Sequence, residues 1–285
     1  MKKFLRLIIL PLIILPLISG CGGGSQQSGN NFSGAEVKLG MITPLNSTEE
    51  KFGGVLDKIE TTLNSDSRHR PKFYDNLQAM VMAVDSGAVQ EISVFKSVAD
   101  YIVATNNKFE VVSNDALEKI GYSFCFAVRK DDAALKAELD KVIGEMKSDG
   151  TLDKLINEYI TNVDKGQAPP KVDIPMTDGA QTLKVGITGD LPPLDLILPD
   201  GSPAGFNTAM LAEIGKRLGR NIQPIEIESG ARASALTSKF IDVVFWALVP
   251  LGDDLPVDLD KPEGLELSAP YFKDNVAHIR LKAKS

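Results

Sequence analysis

Arg232 is the side chain of this sequence best suited to holding an anion. It stands in Ser229-Gly-Ala-Arg232, at the start of a short helix, where a guanidinium can engage a carboxylate through two parallel N–H bonds. The alternative is an arginine on a solvated turn. Asn46, Ser47 and Thr48 bring an amide and two hydroxyls to another helix start, a ready site for a carboxylate, unless they serve only as caps. Asp190 can hold an amine or stabilise the proline-rich turn after it. Trp246, the single tryptophan, can stack on a ligand or fill the core; it lies at the C-terminal end of a central strand, where open α/β sheets bind ligands. None of these forms a catalytic set. The two histidines, His69 and His278, have no Ser, Cys or acid beside them in a recognisable arrangement, and no metal-ligand spacing appears. No enzyme is expected, and neither a metal nor any other cofactor is implied.

The N-terminus carries Lys2, Lys3 and Arg6, an apolar run from Leu7 to Ile18, and then Ser19 and Gly20 before Cys21. This is the pattern of a signal peptide. The run is short for a bilayer span, which needs about 20 apolar residues, and Pro11 and Pro16 interrupt it. Leu17-Ile-Ser-Gly-Cys21 resembles the lipobox of bacterial lipoproteins. That resemblance implies removal of residues 1–20, acylation of Cys21 with palmitate-type chains, and an extracytoplasmic protein anchored to the cell membrane; the alternative is a plain secretory signal with a chance cysteine. Glycine and serine are frequent directly after Cys21, so 21–35 reads as a flexible leash. Cys125, the other cysteine, sits in the alternating run Tyr122–Val128 as a buried strand residue. A net charge of −7 without Lys/Arg clusters argues against nucleic acid as a partner.

From residue 36 the hydrophobic pattern alternates between strand and helix, which favours an α/β class with doubly wound sheets. Val37–Ile42 reads as a strand. Ser47-Thr-Glu-Glu50 reads as a capping box before a helix with Phe52, Val55, Leu56, Ile59 and Leu63 on one face. A polar loop through Arg68, His69 and Arg70 is expected, then a helix capped by Asp75 and closed at Gly87. Strands at 91–95 and 123–128 come next, and two helices over 131–163 are broken at Asp149-Gly150. Gly166, Pro169, Pro170 and Pro175 mark a linker over 164–181. The alternation restarts at Leu183, with Ile241–Val249 as a central strand and Asn275–Leu281 as a last extended segment.

Leu183-Lys-Val-Gly-Ile, Asp190-Leu-Pro-Pro193, Gly205-Phe206, Lys216-Arg-Leu-Gly219, Ile241-Asp-Val-Val and Ser268-Ala-Pro-Tyr-Phe272 resemble the first lobe of family 3 extracellular solute-binding proteins, the amino-acid-type receptors of ABC importers. Ala79–Gly87, Val98-Ala-Asp-Tyr101, Phe126–Asp132 and Asp149–Lys154 resemble the second lobe and C-terminal end of the same family. The resemblance implies a two-lobed periplasmic-binding-protein-like (type II) fold in permuted order: 36–130 as second lobe, 131–163 as closing helices, 182–285 as first lobe. A degraded tandem is the alternative to a circular permutation. A single covalent crossing between lobes is expected, and with it a loose hinge.

The resemblance also implies an interlobe ligand site. The family's aromatic position falls on Leu194, the stretch after the central strand reads Trp246-Ala247-Leu-Val249, and the second-lobe acid falls on Phe95. These departures weaken the case for an ordinary amino acid. The expected role is capture of a small solute, an amino acid or related small carboxylate, for an importer permease. A sensor or partner-binding lipoprotein with a degenerate cleft is the second reading, and an enzyme acting on small carboxylates the third.

Overall fold

The structure, a computed structural model, describes residues 34–112, 120–163, 166–252 and 255–283. The predicted leader and Cys21 lie outside the described residues. In the first half-sheet β1 (Ala35–Ile42) pairs in parallel with β2 (Ser67–Tyr74) on one side and with β3 (Glu91–Phe95) on the other. α1 (Glu49–Thr62) and α2 (Leu77–Asp85) are the crossover helices, followed by α3 (Lys96–Thr105) and β4 (Phe109–Val112). β5 (Gly121–Arg129) opens the second half-sheet, with α4 (Ala133–Ser148) and α5 (Thr151–Ile156) after it. β6 (Thr182–Ile187) and a small meander of β7 (Asp190–Leu191), β8 (Asp195–Ile197) and β9 (Pro203–Ala204) follow. Next are α6 (Phe206–Leu218), β10 (Asn221–Glu226), a single tight turn at Ser229–Ala231, α7 (Arg232–Thr237), β11 (Val243–Pro250), β12 (Leu265–Leu267) and β13 (Phe272–Leu281).

The strands run β10-β6-β11-β5-β13-β3-β1-β2, with β12 added to β5 and β4 to β13. The expected type II architecture is present, but the expected single crossing is corrected. Phe272–Asn275 of β13 pair with β5, and Val276–Ile279 of the same strand pair with β3. The chain therefore passes between half-sheets at Ile120–Gly121 and again at Asn275–Val276. Val276 N–H donates to Ile120 O at 2.9 Å, binding the two crossings side by side. A Cβ on Gly121 would lie 2.7 Å from Asn275 Oδ1, so glycine permits that close approach. The end of the chain belongs with β3 and β4 rather than with the half-sheet that begins at β6.

Local chemistry explains most helix ends. Thr48 caps α1, its hydroxyl accepting from Lys51 N–H at 3.1 Å. The predicted capping box from Ser47 to Glu50 does not form, because the cap is Thr48 rather than Ser47 and the position three residues on is then Lys51; Glu49 binds Lys72 Nζ and Phe73 N–H. Asn76, not Asp75, caps α2. Arg68, His69 and Arg70 belong to β2 rather than to a loop. β2 is an edge strand, where polar side chains and Pro71 are tolerated, and only His69 and Pro71 of it are buried. Gly150, at φ +79°, separates α4 from α5 as the sequence suggested. Burial of Phe124, Phe126, Phe206, Phe245 and Tyr271 between the half-sheet of β5 and helices α4 and α6 supplies much of the core, about 1.5–3 kcal/mol for each large apolar side chain. Cys125 is buried, and burial pushes its thiol up to about 11, in keeping with a structural cysteine.

Candidate interlobe ligand cleft

The C-terminal ends of β1, β3 and β11 converge where the two half-sheets face each other, and they enclose a cavity of about 70 Å³. Met41 and Ile42, Phe95, Trp246, Leu248 and Asp260 are among its walls. The lining is mostly apolar. Phe95 packs on Phe124 with ring centroids 4.6 Å apart and edge-on against Trp246 at 5.8 Å. Phe95, at the position expected of an acid, and Trp246 thus meet in the wall of this cavity, and both also belong to the core.

Polar bonds close the seam around this cavity. Arg232 is completely buried. Its Nε donates to Ser229 O at 3.1 Å, Nη1 to Trp246 O at 3.0 Å, and Nη2 across the cleft to Thr43 O at 3.0 Å. The guanidinium also lies 3.9 Å from the Trp246 ring centroid. Burial pushes its pKa down to about 10, opposed by the Asp260 and Asp190 carboxylates, so it remains a cation at neutral pH. Asp75 supplies the facing carboxylate: Oδ1 accepts from Thr43 Oγ1 at 2.7 Å and from Gly230 N–H at 3.0 Å, and Asp75 O accepts from Ser229 N–H at 3.0 Å. Asp190 Oδ2 takes the N–H of Leu77 at the start of α2. Burial pushes the Asp190 carboxyl up to about 6, with the Asp195 charge adding to it. Asp195, fully buried on β8, holds the Asp190 loop through the N–H groups of Thr188 and Gly189 at 3.0 and 3.1 Å.

The remaining predicted residues divide. Asn46 Nδ2 donates to Lys261 O at 2.8 Å across the seam. Thr48 is spent as the α1 cap, whereas the Ser47 hydroxyl is buried without a partner. Ser229 Oγ is also buried and unpartnered. Leu194, Ala247 and Val249 do not line the cavity. Leu194 sits in the core beneath α6, Ala247 packs with Ile227, Leu236 and Ile241, and Val249 lies in ladder register with Ser123. Leu191, three residues earlier, takes the wall position expected of Leu194. Asp75, Thr43 and Asp260 join the site without having been expected there. Asp260, itself buried, accepts from Leu45 N–H at 2.5 Å and Leu248 N–H at 3.1 Å and so joins both sides. An acid that meets Ser/Gly amides from another part of the chain leaves no local signal, so only the fold reveals these residues.

The histidines also depart from expectation. Far from lacking acidic neighbours, His69, Glu91 and His278 come together, buried, on the first half-sheet.

Residues 183–250 match the family model described as bacterial extracellular solute-binding proteins, family 3. No curated protein sequence matches the chain. Similar solved structures include the ligand-binding component of an ABC-type import system from Staphylococcus aureus with zinc bound, at 11% identity and TM-score 0.43 over 86% of this chain and 66% of that one. The periplasmic aliphatic sulphonate binding protein SsuA from Escherichia coli is similar at 11% identity and TM-score 0.37, over 87% and 66%. The GluR0 ligand-binding core from Nostoc punctiforme, in complex with L-glutamate, is similar at 12% identity and TM-score 0.36, over 86% and 84%. The chain spans 66% of the length of the first two. Among the described residues no helix is long and apolar enough to cross a membrane.

Proposed function

We propose that this protein is a solute-binding receptor that works outside the cytoplasm, tethered to the membrane through Cys21, and delivers a small carboxylate-bearing solute to an ABC importer permease. The observation that carries the reading is the Asp75 carboxylate, held by Gly230 N–H beside the buried Arg232. Opening the seam breaks the bonds of Arg232 Nη2, Gly230 N–H, Ser229 N–H and Leu77 N–H to the opposite lobe. All four are donors. A solute carboxylate entering an open cleft replaces Thr43 O on Arg232 Nη2 and Asp75 on Gly230 N–H and Ser229 N–H, and its apolar part meets Phe95 and Trp246. The protein's own carboxylate then acts as a stand-in that a solute must displace, a cost set against the solute's affinity.

The small volume left in the closed cleft favours the second reading, a sensor or partner-binding lipoprotein that takes no free solute, since ligand pockets usually enclose about 300–1,000 Å³. Thermal unfolding of the full chain in detergent, screened against amino acids, small carboxylates and peptides, separates the two. A receptor gains about 2.7 kcal/mol at a ligand concentration 100 times its Kd, and Asp75→Ala binds more tightly. No stabilisation of either protein by any compound overturns the receptor reading. Membrane fractionation of Cys21→Ser tests the tether, with release into the soluble fraction as the expected result and retention as the one that overturns it.

A further inference from the structure

His69 on β2, Glu91 on β3 and His278 on β13 project from one face of the first half-sheet. His278 is opposite Ser93 and therefore diagonal to Glu91, and Leu39 of β1 is opposite both Glu91 and Pro71. All three side chains are buried, with 4% or less of either histidine exposed. Glu91 Oε2 lies 3.5 Å from His69 Nε2 and 3.4 Å from His278 Nδ1. These separations are long for hydrogen bonds, and neither Glu91 Oε2 nor His278 Nδ1 has a hydrogen-bond partner. Buried polar atoms left so are costly. The two spacings instead match the edges of a metal polyhedron. Zinc–nitrogen and zinc–oxygen bonds of about 2.0–2.2 Å at tetrahedral angles set ligand atoms about 3.3–3.6 Å apart. All three ligand atoms lie within 4.8 Å of one another.

The surroundings complete the arrangement. Glu60 of α1, itself buried, places Oε1 2.5 Å from His69 Nδ1 and also accepts the His69 backbone N–H at 3.1 Å. A carboxylate on the far ring nitrogen is how metal-binding histidines are oriented, with Nε2 turned to the metal.

We propose that His69, Glu91 and His278 form a divalent-cation site, suited by its two imidazoles and one carboxylate to zinc, with Glu60 as the group that positions His69. The ion straps β13, the returning crossing strand, to β3 and to the edge strand β2, and so fixes the lobe on which half the cleft is built. It does not depend on the proposed solute. The test uses the untagged full chain in detergent, stripped with EDTA and dialysed against micromolar zinc or cobalt(II). About one zinc per chain, a raised unfolding temperature, and visible d–d absorption of the cobalt form are expected. Glu91→Gln and His278→Gln abolish uptake, and Glu60→Gln weakens it by about 10–100-fold. No stoichiometric uptake by the wild-type chain overturns the proposal, as does uptake unchanged in a folded Glu91→Gln or His278→Gln protein. Should both of those unfold, the cobalt spectrum of the wild type decides: bands of an imidazole–carboxylate site support it, and their absence overturns it.

Discussion

Asp190 and Arg232 illustrate how the same residue type changes meaning once its partners are known. Asp190 was legible as a polar group in the cleft, but its hydrogen bond runs to the start of α2 in the other lobe rather than to an amine. Its carboxyl titrates near 6 when folded, against an ordinary value of 3.8. A raised acid stabilises the fold fully below about pH 3.8 and loses that contribution as the pH rises through about 6. Asp190→Asn removes the buried charge, so at pH 7.5 the variant should be more stable than wild type by about 1–3 kcal/mol, and this advantage should vanish by pH 4. Urea unfolding at the two pH values measures it; an advantage independent of pH contradicts the assignment. Arg232 was expected to be free for an anion. Three carbonyl oxygens and the Trp246 face occupy it because a buried guanidinium must satisfy its donors locally.

At the scale of elements, the turn from β9 into α6 shows why Gly205-Phe206 stands in the pattern. Gly205 has φ +92°, a region closed to other residues, and a Cβ there would lie 2.6 Å from Pro193 O and 3.0 Å from Leu194 O. The carbonyls of Pro193 and Leu194 receive the N–H groups of Phe206 and Asn207 at 3.1 and 2.8 Å, so this turn fixes the loop that carries Asp190 and Leu191. Gly205→Ala should cost about 2–4 kcal/mol in unfolding free energy, both strain and a clash with main chain contributing. A loss under about 0.5 kcal/mol would sink this account. Most helices were readable because their apolar spacing and caps are local. β2 and β4 were not: β2 is polar because it lies at an edge, and β4 is only four residues long and held by its register on β13.

For the whole molecule, two crossings lie side by side where one was anticipated, so opening must bend β5 and β13 together at Ile120–Gly121 and Asn275–Val276. Cross-lobe hydrogen bonds tie the two lobes together in this arrangement. Asp75→Ala removes the cross-lobe bond that this carboxylate accepts from Gly230 N–H, together with the bond from Thr43 Oγ1 that holds the carboxylate in place within its own lobe. Spin labels at Lys58 and Lys216, one on each lobe, should therefore report a longer and broader distance distribution in Asp75→Ala than in the parent chain. Identical distributions would show that the carboxylate does not hold the lobes together.

The strand–helix alternation and the two-lobed class could be read from the sequence, because periodicity, turn residues and short motifs are local records of local physics. The wiring of the seam and the cluster of His69, Glu91 and His278 could not. Their partners lie on strands and loops remote in the chain, and only the parallel pairing of β1 with β2 and β3, and the return of β13 beside β3, bring them within reach of one another.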